Sequence, residues 1–172
     1  MKRAVFLDRD GVINRVIMRG GKPYSPRTLS DFRFTDGVKE VLIRLKEVGF
    51  LLIIVTNQPD ISRGLITWDQ LNAIHDLIRR ELPVDDIIVC PHDDSDNCDC
   101  RKPKPGMIVD SARKCGIDIG NSYMIGDTWK DMEAGRMAGC DTILLDASYN
   151  RDVKSNHRIN VIAESLNIIE SE

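Results

Sequence analysis

Short, unbroken apolar runs recur along this chain with helical patterns between them: Ala4 to Leu7, Leu51 to Val55, Ile87 to Val89, Tyr123 to Ile125 and Thr142 to Leu145. A run that is apolar throughout, rather than at alternate positions, belongs to a strand covered on both faces. Strands alternating with helices then predict an α/β fold, a five-stranded parallel sheet flanked by helices. Val38, Val41, Leu42, Leu45 and Val48 follow helical spacing and stop at Gly49. Thr67 and Gln70 form a capping-box pattern, after which Trp68, Leu71, Ile74 and Ile78 mark one stripe ending before Pro83. Further helices are expected over Pro105 to Cys115, Trp129 to Ala138 and Val161 to Leu166.

The 172 residues, 42% of them apolar, suit one core, and residues 1–172 are expected to form a single domain. The formal net charge of −3 provides no electrostatic footprint for nucleic acid or an anionic membrane surface, so the expected partner is a small molecule. The longest apolar stretch, Phe50 to Val55, is too short to span a bilayer. Met1-Lys2-Arg3 leads straight into a strand pattern rather than an apolar leader, so the expected location is the cytoplasm. Oligomeric state leaves no trace in the pattern. Gly11 to Phe34, rich in Gly, Pro, Ser and Arg, breaks the alternation and is expected to be a long, functional loop.

Ligands of open α/β sheets bind at the carboxyl ends of the strands. The first run continues into Asp8-Arg9-Asp10-Gly11, and alternation along extended backbone turns Asp8 and Asp10 to the same side. A carboxylate can attack phosphorus when a second group handles the leaving oxygen's proton, which suits Asp8 as nucleophile and Asp10 as acid/base. The second run ends Thr56-Asn57-Gln58, a hydroxyl and backbone N–H groups able to hold phosphate oxygens. Arg101 and Lys102 stand at a Pro/Gly-shaped turn before a helix, where a lysine can offset the charge on nucleophile and phosphoryl group. The fourth run ends Gly126-Asp127-Thr128, with Asp131 four residues after Asp127. Asp8, the backbone carbonyl of Asp10 and Asp127 provide the hard oxygens that Mg²⁺ requires, with Asp131 binding directly or through water. Asp131 has a second reading, as a helix-start residue favoured by the dipole. Thr128 joins Asn57, Gln58, Arg63 and Arg101 as candidate substrate contacts.

Of five cysteines, Cys90, Cys98 and Cys100 lie within 11 residues beside His92. Three thiolates and one imidazole make a closed tetrahedral set, the donor pattern of structural zinc, placed just ahead of Arg101 and Lys102. Asp93, Asp94, Asp96 and Asp99 around it are read as solvating the loop. Cys115 and Cys140 are read as small buried apolar residues, and His75 and His157 as surface or partly packed. Trp68 is expected to be a core or staple residue and Trp129 to lie at the pocket rim.

The segments D-R-D-G-V-I-N, T-N-Q, C-R-K-P-K-P-G and G-D-T-W-K-D, in this order over essentially the whole chain, resemble the haloacid dehalogenase (HAD) superfamily of phosphatases. The Cys-Pro-His and Cys-Asp-Cys pair before the lysine motif resembles its branch (subfamily IIIA) that holds the heptose 1,7-bisphosphate phosphatases and the histidinol-phosphatase domain. The resemblance implies a Rossmann-like core, Asp8 as nucleophile, Asp10 as acid/base, Thr56 and Lys102 stabilising the phosphoryl group, and Asp8, Asp10 and Asp127 around magnesium. The loops after the first two strands are too short for a large cap domain. A phospho-receiver domain would lack Asp10 two residues beyond the nucleophile, and a DNA 3′-phosphatase would need a basic groove at odds with a pI near 5.7.

Two details bear on the substrate. The five-residue loop Asp93 to Asn97 is similar to that of the histidinol-phosphatase domain, whereas Ile61-Ser62-Arg63-Gly64 resembles the heptose enzymes, with Pro59-Asp60 in place of their usual Ser-Gly. Arg63 and Arg101 suit the second phosphate of a heptose 1,7-bisphosphate losing its C7 phosphate, and together with Lys102 would repel the amine of histidinol phosphate. The bisphosphate is therefore the expected substrate, with histidinol phosphate the alternative.

Overall fold

The computed structural model describes residues 1–171. Elements are numbered in chain order. The main sheet contains β1 (Ala4–Leu7), β4 (Leu51–Asn57), β5 (Asp86–Cys90), β6 (Tyr123–Gly126), β7 (Asp141–Leu145) and β8 (His157–Ile159). Its order is β5-β4-β1-β6-β7-β8 and every pairing is parallel. The helices are α1 (Val38–Glu47), α2 (Trp68–Glu81), α3 (Gly106–Cys115), α4 (Trp129–Ala138) and α5 (Ser165–Ile169).

Side-chain alternation builds a core on each face. Val5 and Leu7 of β1 join Leu52 and Ile54 of β4 in packing with Val41, Leu42 and Leu45 of α1, Ile74 and Ile78 of α2, and Ile169 of α5. Ala4 and Phe6 point the other way, with Ile53 and Val55, toward Met107, Ile108 and Ala112 of α3 and Ala134 of α4. All four residues of β1 are fully buried, as expected of a central strand with helices on both sides. The chain first winds from β1 through β4 to β5, then returns to place β6 on the other side of β1. This reversal creates the crevice at the carboxyl ends of β1 and β6 where Asp8 and Asp127 sit.

α2 starts at the expected capping box, with Thr67 Oγ1 accepting from the N–H of Gln70 at 3.2 Å. The structure corrects the strand count from five to six. β8, with sequence His-Arg-Ile, pairs with β7 but buries only Ile159, so it leaves no apolar run in the sequence. The expected loop from Gly11 to Phe34 contains an antiparallel hairpin, β2 (Ile17–Arg19) and β3 (Lys22–Tyr24). Its turn is Gly20-Gly21, both at positive φ, a hairpin signal that the short and exposed flanking strands concealed. At the C-terminal end, residues 162–164 form a tight 3₁₀ turn and α5 begins only at Ser165. Trp68 is half exposed rather than in the core, and Cys115 is only partly buried, whereas Cys140 is buried as expected. Among the described residues no helix is long and apolar enough to cross a membrane.

Candidate active site

The ends of β1, β4 and β6 and the turn before α3 meet in a cavity of about 330 Å³ whose walls include Asp8, Asp10, Gln58, Lys102, Asp127 and Asp131. One carboxylate oxygen from each of Asp8, Asp127 and Asp131 lies within 4.8 Å of the others. Lys102 Nζ reaches into this group, 2.8 Å from Asp8 Oδ1, 2.5 Å from Asp131 Oδ1 and 2.8 Å from the carbonyl of Val55. Its backbone is pinned to the end of β4 by a reciprocal pair with Asn57: Asn57 Nδ2 donates to the Lys102 carbonyl at 3.0 Å, and the Lys102 N–H to Asn57 Oδ1 at 3.1 Å. Asn57, expected to touch substrate, thus places the lysine.

Asp131 matches its helix-start reading and also meets the lysine. Its Oδ2 accepts from Thr128 N–H at 2.9 Å and Thr128 Oγ1 at 2.6 Å, closing the first turn of α4, while Oδ1 receives Lys102. Burial raises the Asp8 pKa to about 7, with the Asp131 charge adding to the effect, and Asp127 is pushed up by burial and by Asp8 and Asp131. Burial opposes the charge on Lys102, but Asp131 and Asp8 outweigh it and push its pKa up. Crowded carboxylates with only one lysine among them suit a divalent cation, which would reverse that repulsion. The buried Asp127 Oδ1 fits the same role, because it has no hydrogen-bond partner. A Cβ on Gly11, which has φ +92°, would overlap the Asp127 carboxylate, so only glycine lets the first loop pass this close.

Asp10 occupies a separate nest of donors. Its Oδ1 accepts from Arg9 Nη2 at 2.9 Å and Asn14 Nδ2 at 3.0 Å, its Oδ2 from Ser25 Oγ at 2.7 Å and Gln58 Nε2 at 2.9 Å. Burial alone would raise its pKa, but Arg9 and the three neutral donors override it and hold the carboxyl below its ordinary value. Thr56 is buried, and its hydroxyl accepts from Gln58 Nε2 at 2.9 Å. Sequence reasoning missed Arg9, Asn14, Ser25 and Tyr149. Arg9 and Asn14 lay inside the D-R-D-G-V-I-N segment and were visible there. Ser25, on the hairpin side of the pocket, and Tyr149, whose hydroxyl donates to Asp127 Oδ2, carried no local signal.

Cys90, His92, Cys98 and Cys100 converge as expected. Their Sγ and Nδ1 atoms are 3.1–3.6 Å apart in the close pairs. A tetrahedron with Zn–S arms of about 2.3 Å has edges of ~3.8 Å, so the donor set fits one metal after a slight expansion. The acidic residues around it do more than solvate the loop. Asp93 takes Arg63 in a two-pronged pair at 2.5 and 2.7 Å, and Asp94 takes Arg101 Nε at 2.7 Å. Arg101 Nη1 also donates to the His92 carbonyl at 3.0 Å, tying the cation to the Cys/His loop. Both arginines line the cavity as expected, but each already has a carboxylate partner, which weakens the expected repulsion of an amine. His75 is buried rather than superficial, and Trp129 lines a neighbouring groove with Met132 and Met137 instead of the acidic pocket.

The HAD-hydrolase-like family model matches residues 99–168. The D-glycero-beta-D-manno-heptose-1,7-bisphosphate 7-phosphatase of Photorhabdus laumondii is 38% identical across 95% of this chain and 90% of its own length. The chain belongs to this phosphatase family. The protein of the same name from Escherichia coli K12 is also 38% identical, over 83% of this chain and 78% of its own. Among solved structures, the D,D-heptose 1,7-bisphosphate phosphatase of B. bronchiseptica, complexed with magnesium and phosphate, superposes with a TM-score of 0.87 at 29% identity and covers both chains completely. The enzyme is thus a phosphatase with the Rossmann-like HAD fold.

Proposed function

We propose that this phosphatase removes the C7 phosphate of D-glycero-D-manno-heptose 1,7-bisphosphate through an aspartyl phosphate on Asp8. The observation that carries the mechanism is the convergence of Asp8, Asp127, Asp131 and Lys102, with Asp10 two residues from Asp8 and held by donors of its own. Asp8 Oδ1 is occupied by the Arg9 N–H at 2.8 Å and by Lys102, which leaves Oδ2 to attack phosphorus. The P–O bond to the sugar breaks as the P–O bond to Asp8 forms, and the leaving oxygen takes a proton from Asp10. Water then attacks the phosphorus of the acyl phosphate, Asp10 accepts its proton, and Asp8 is regenerated. The donors around Asp10 favour its carboxylate, which suits the second step. The first requires Asp10 to enter protonated, its acid hydrogen taking the place of one of these donors, and Ser25 and Gln58 are the two that face the pocket.

Asp8, Asp127, Asp131 and the Asp10 carbonyl are the groups we assign to Mg²⁺, which would supply charge neutralisation at the phosphoryl oxygens. Cys90, His92, Cys98 and Cys100 we assign to structural zinc, which would hold Arg101 and Lys102 at the pocket. The names of the curated relatives, similar over nearly the whole chain, support the bisphosphate as substrate, with Arg63, Arg101 and Thr128 as its contacts. The short Asp93 to Asn97 loop and its pairing with the arginines are what keep histidinol phosphate as the alternative. The test is phosphate release with Mg²⁺, comparing kcat/KM for the two anomers of the heptose bisphosphate and for histidinol phosphate. A heptose bisphosphate should win. Faster hydrolysis of histidinol phosphate would overturn the substrate, and no release from any of them would leave only the reaction class.

A further inference from the structure

After β7 the chain enters a loop, residues 146–156, that carries none of the motifs discussed above. Tyr149 on this loop donates its hydroxyl to Oδ2 of Asp127. The next residue, Asn150, is buried and fixes the loop against the same strand end: its Nδ2 donates to the Asp127 carbonyl at 2.7 Å and to the Leu145 carbonyl at 2.9 Å. The Ala147 N–H donates to Asn150 Oδ1 at 3.0 Å, and Arg158 from β8 donates to the carbonyls of Asn150 and Val153. The loop carrying Tyr149 is therefore fixed by contacts that do not involve the Asp127 side chain.

The two oxygens of Asp127 have different surroundings. Oδ2 is taken by the phenol, whereas Oδ1 is buried without a partner. Gly11 crowds the carboxylate from the first loop, where any side chain would overlap it. A carboxylate wedged at one side and hydrogen-bonded at one oxygen cannot turn freely about its Cβ–Cγ bond, so the orientation of the other oxygen is set before a ligand arrives. Hydrogen-bonded partners of metal-ligating carboxylates orient them and typically account for about 10–100-fold in metal affinity.

We infer that Tyr149 is a positioning residue for the divalent cation, acting through Asp127 by holding Oδ2 so that Oδ1 faces Asp8 and Asp131. The inference rests on the reading of this acidic cluster as the Mg²⁺ site. It predicts that the loop between β7 and β8, remote in sequence from the nucleophile, tunes metal affinity and not the chemistry of phosphoryl transfer.

The experiment is Tyr149→Phe, which removes one oxygen and keeps the ring, in full-length protein retaining its Cys/His metal. Mg²⁺ alone is titrated by calorimetry, and melting temperatures are recorded with and without Mg²⁺. The expected result is Mg²⁺ binding weakened about tenfold to a hundredfold, a smaller Mg²⁺-induced rise in melting temperature than in the wild type, and kcat close to wild type once Mg²⁺ is saturating. Equal Mg²⁺ affinity in both proteins would overturn the inference while leaving the metal site standing. A melting temperature lowered equally with and without Mg²⁺, at unchanged affinity, would make Tyr149 a purely structural residue and overturn it as well. If the wild type itself binds no Mg²⁺, the metal-site reading falls and this inference falls with it.

Discussion

Nη1 of Arg9 lies 3.1 Å from Nε2 of His75, and both side chains are buried. Arg9 is always a donor, so this imidazole nitrogen must accept and the ring's proton resides on Nδ1. The other edge of the same guanidinium holds Asp10, so a helix on one face of the sheet contributes to fixing the proposed acid/base.

This contact gives a pH dependence with a definite sign. Burial, then the Arg9 charge, lower the His75 pKa from 6.5 to about 3. The unfolded chain therefore binds a proton below about 6.5 that the folded one refuses, so the contribution is complete above that pH and is lost as pH falls toward 3. The loss should reach at most about 1.4 kcal/mol per pH unit. His75→Gln, which keeps an acceptor for Arg9, should show a shallower decline in urea-unfolding stability below pH 6.5. Parallel profiles for the two proteins would show that His75 titrates normally.

Asp8→Asn should abolish phosphate release with the circular-dichroism spectrum unchanged, since an amide cannot attack phosphorus. Asp10→Asn should slow turnover by about a hundredfold to ten-thousandfold, the usual worth of a positioned proton-transfer group. Appreciable turnover by the first variant, or an unchanged rate across pH for the second, would refute the corresponding role.

Protein purified without chelators should contain about one zinc per chain, the stoichiometry of a closed four-ligand site. Cys98→Ser should lower the melting temperature more than it changes the pH profile of the residual activity. Because Arg101 Nη1 is bound to the His92 carbonyl and Lys102 follows it directly, zinc loss should also raise KM. Added Mg²⁺ should still be required by the zinc-loaded enzyme. Metal analysis without zinc would remove the assignment.

Local chain chemistry was enough to determine the alternation of strands and helices, the cap at Thr67, the helix stop at Gly49, and the carboxylates at the ends of β1 and β6. Each of these depends on residues a few positions apart, whose periodicity or spacing is physically tied to one backbone conformation. The Cys90, His92, Cys98 and Cys100 set was legible for the same reason, since its donors lie within 11 residues. What only the tertiary structure decided are contacts between distant segments with no shared local pattern. β8 forms because β7 presents an edge, although His-Arg-Ile has no apolar run. Ser25 reaches Asp10 only once the hairpin has folded beside the pocket, and His75 becomes buried only because α2 packs where Arg9 needs an acceptor. Arg63 and Asp93, 30 positions apart, pair because β4 and β5 are adjacent and parallel, which brings their following loops together. Tyr149 and Asp127 likewise meet because the neighbouring strands β6 and β7 end at the same edge, a proximity set by sheet order rather than by any residue near either one.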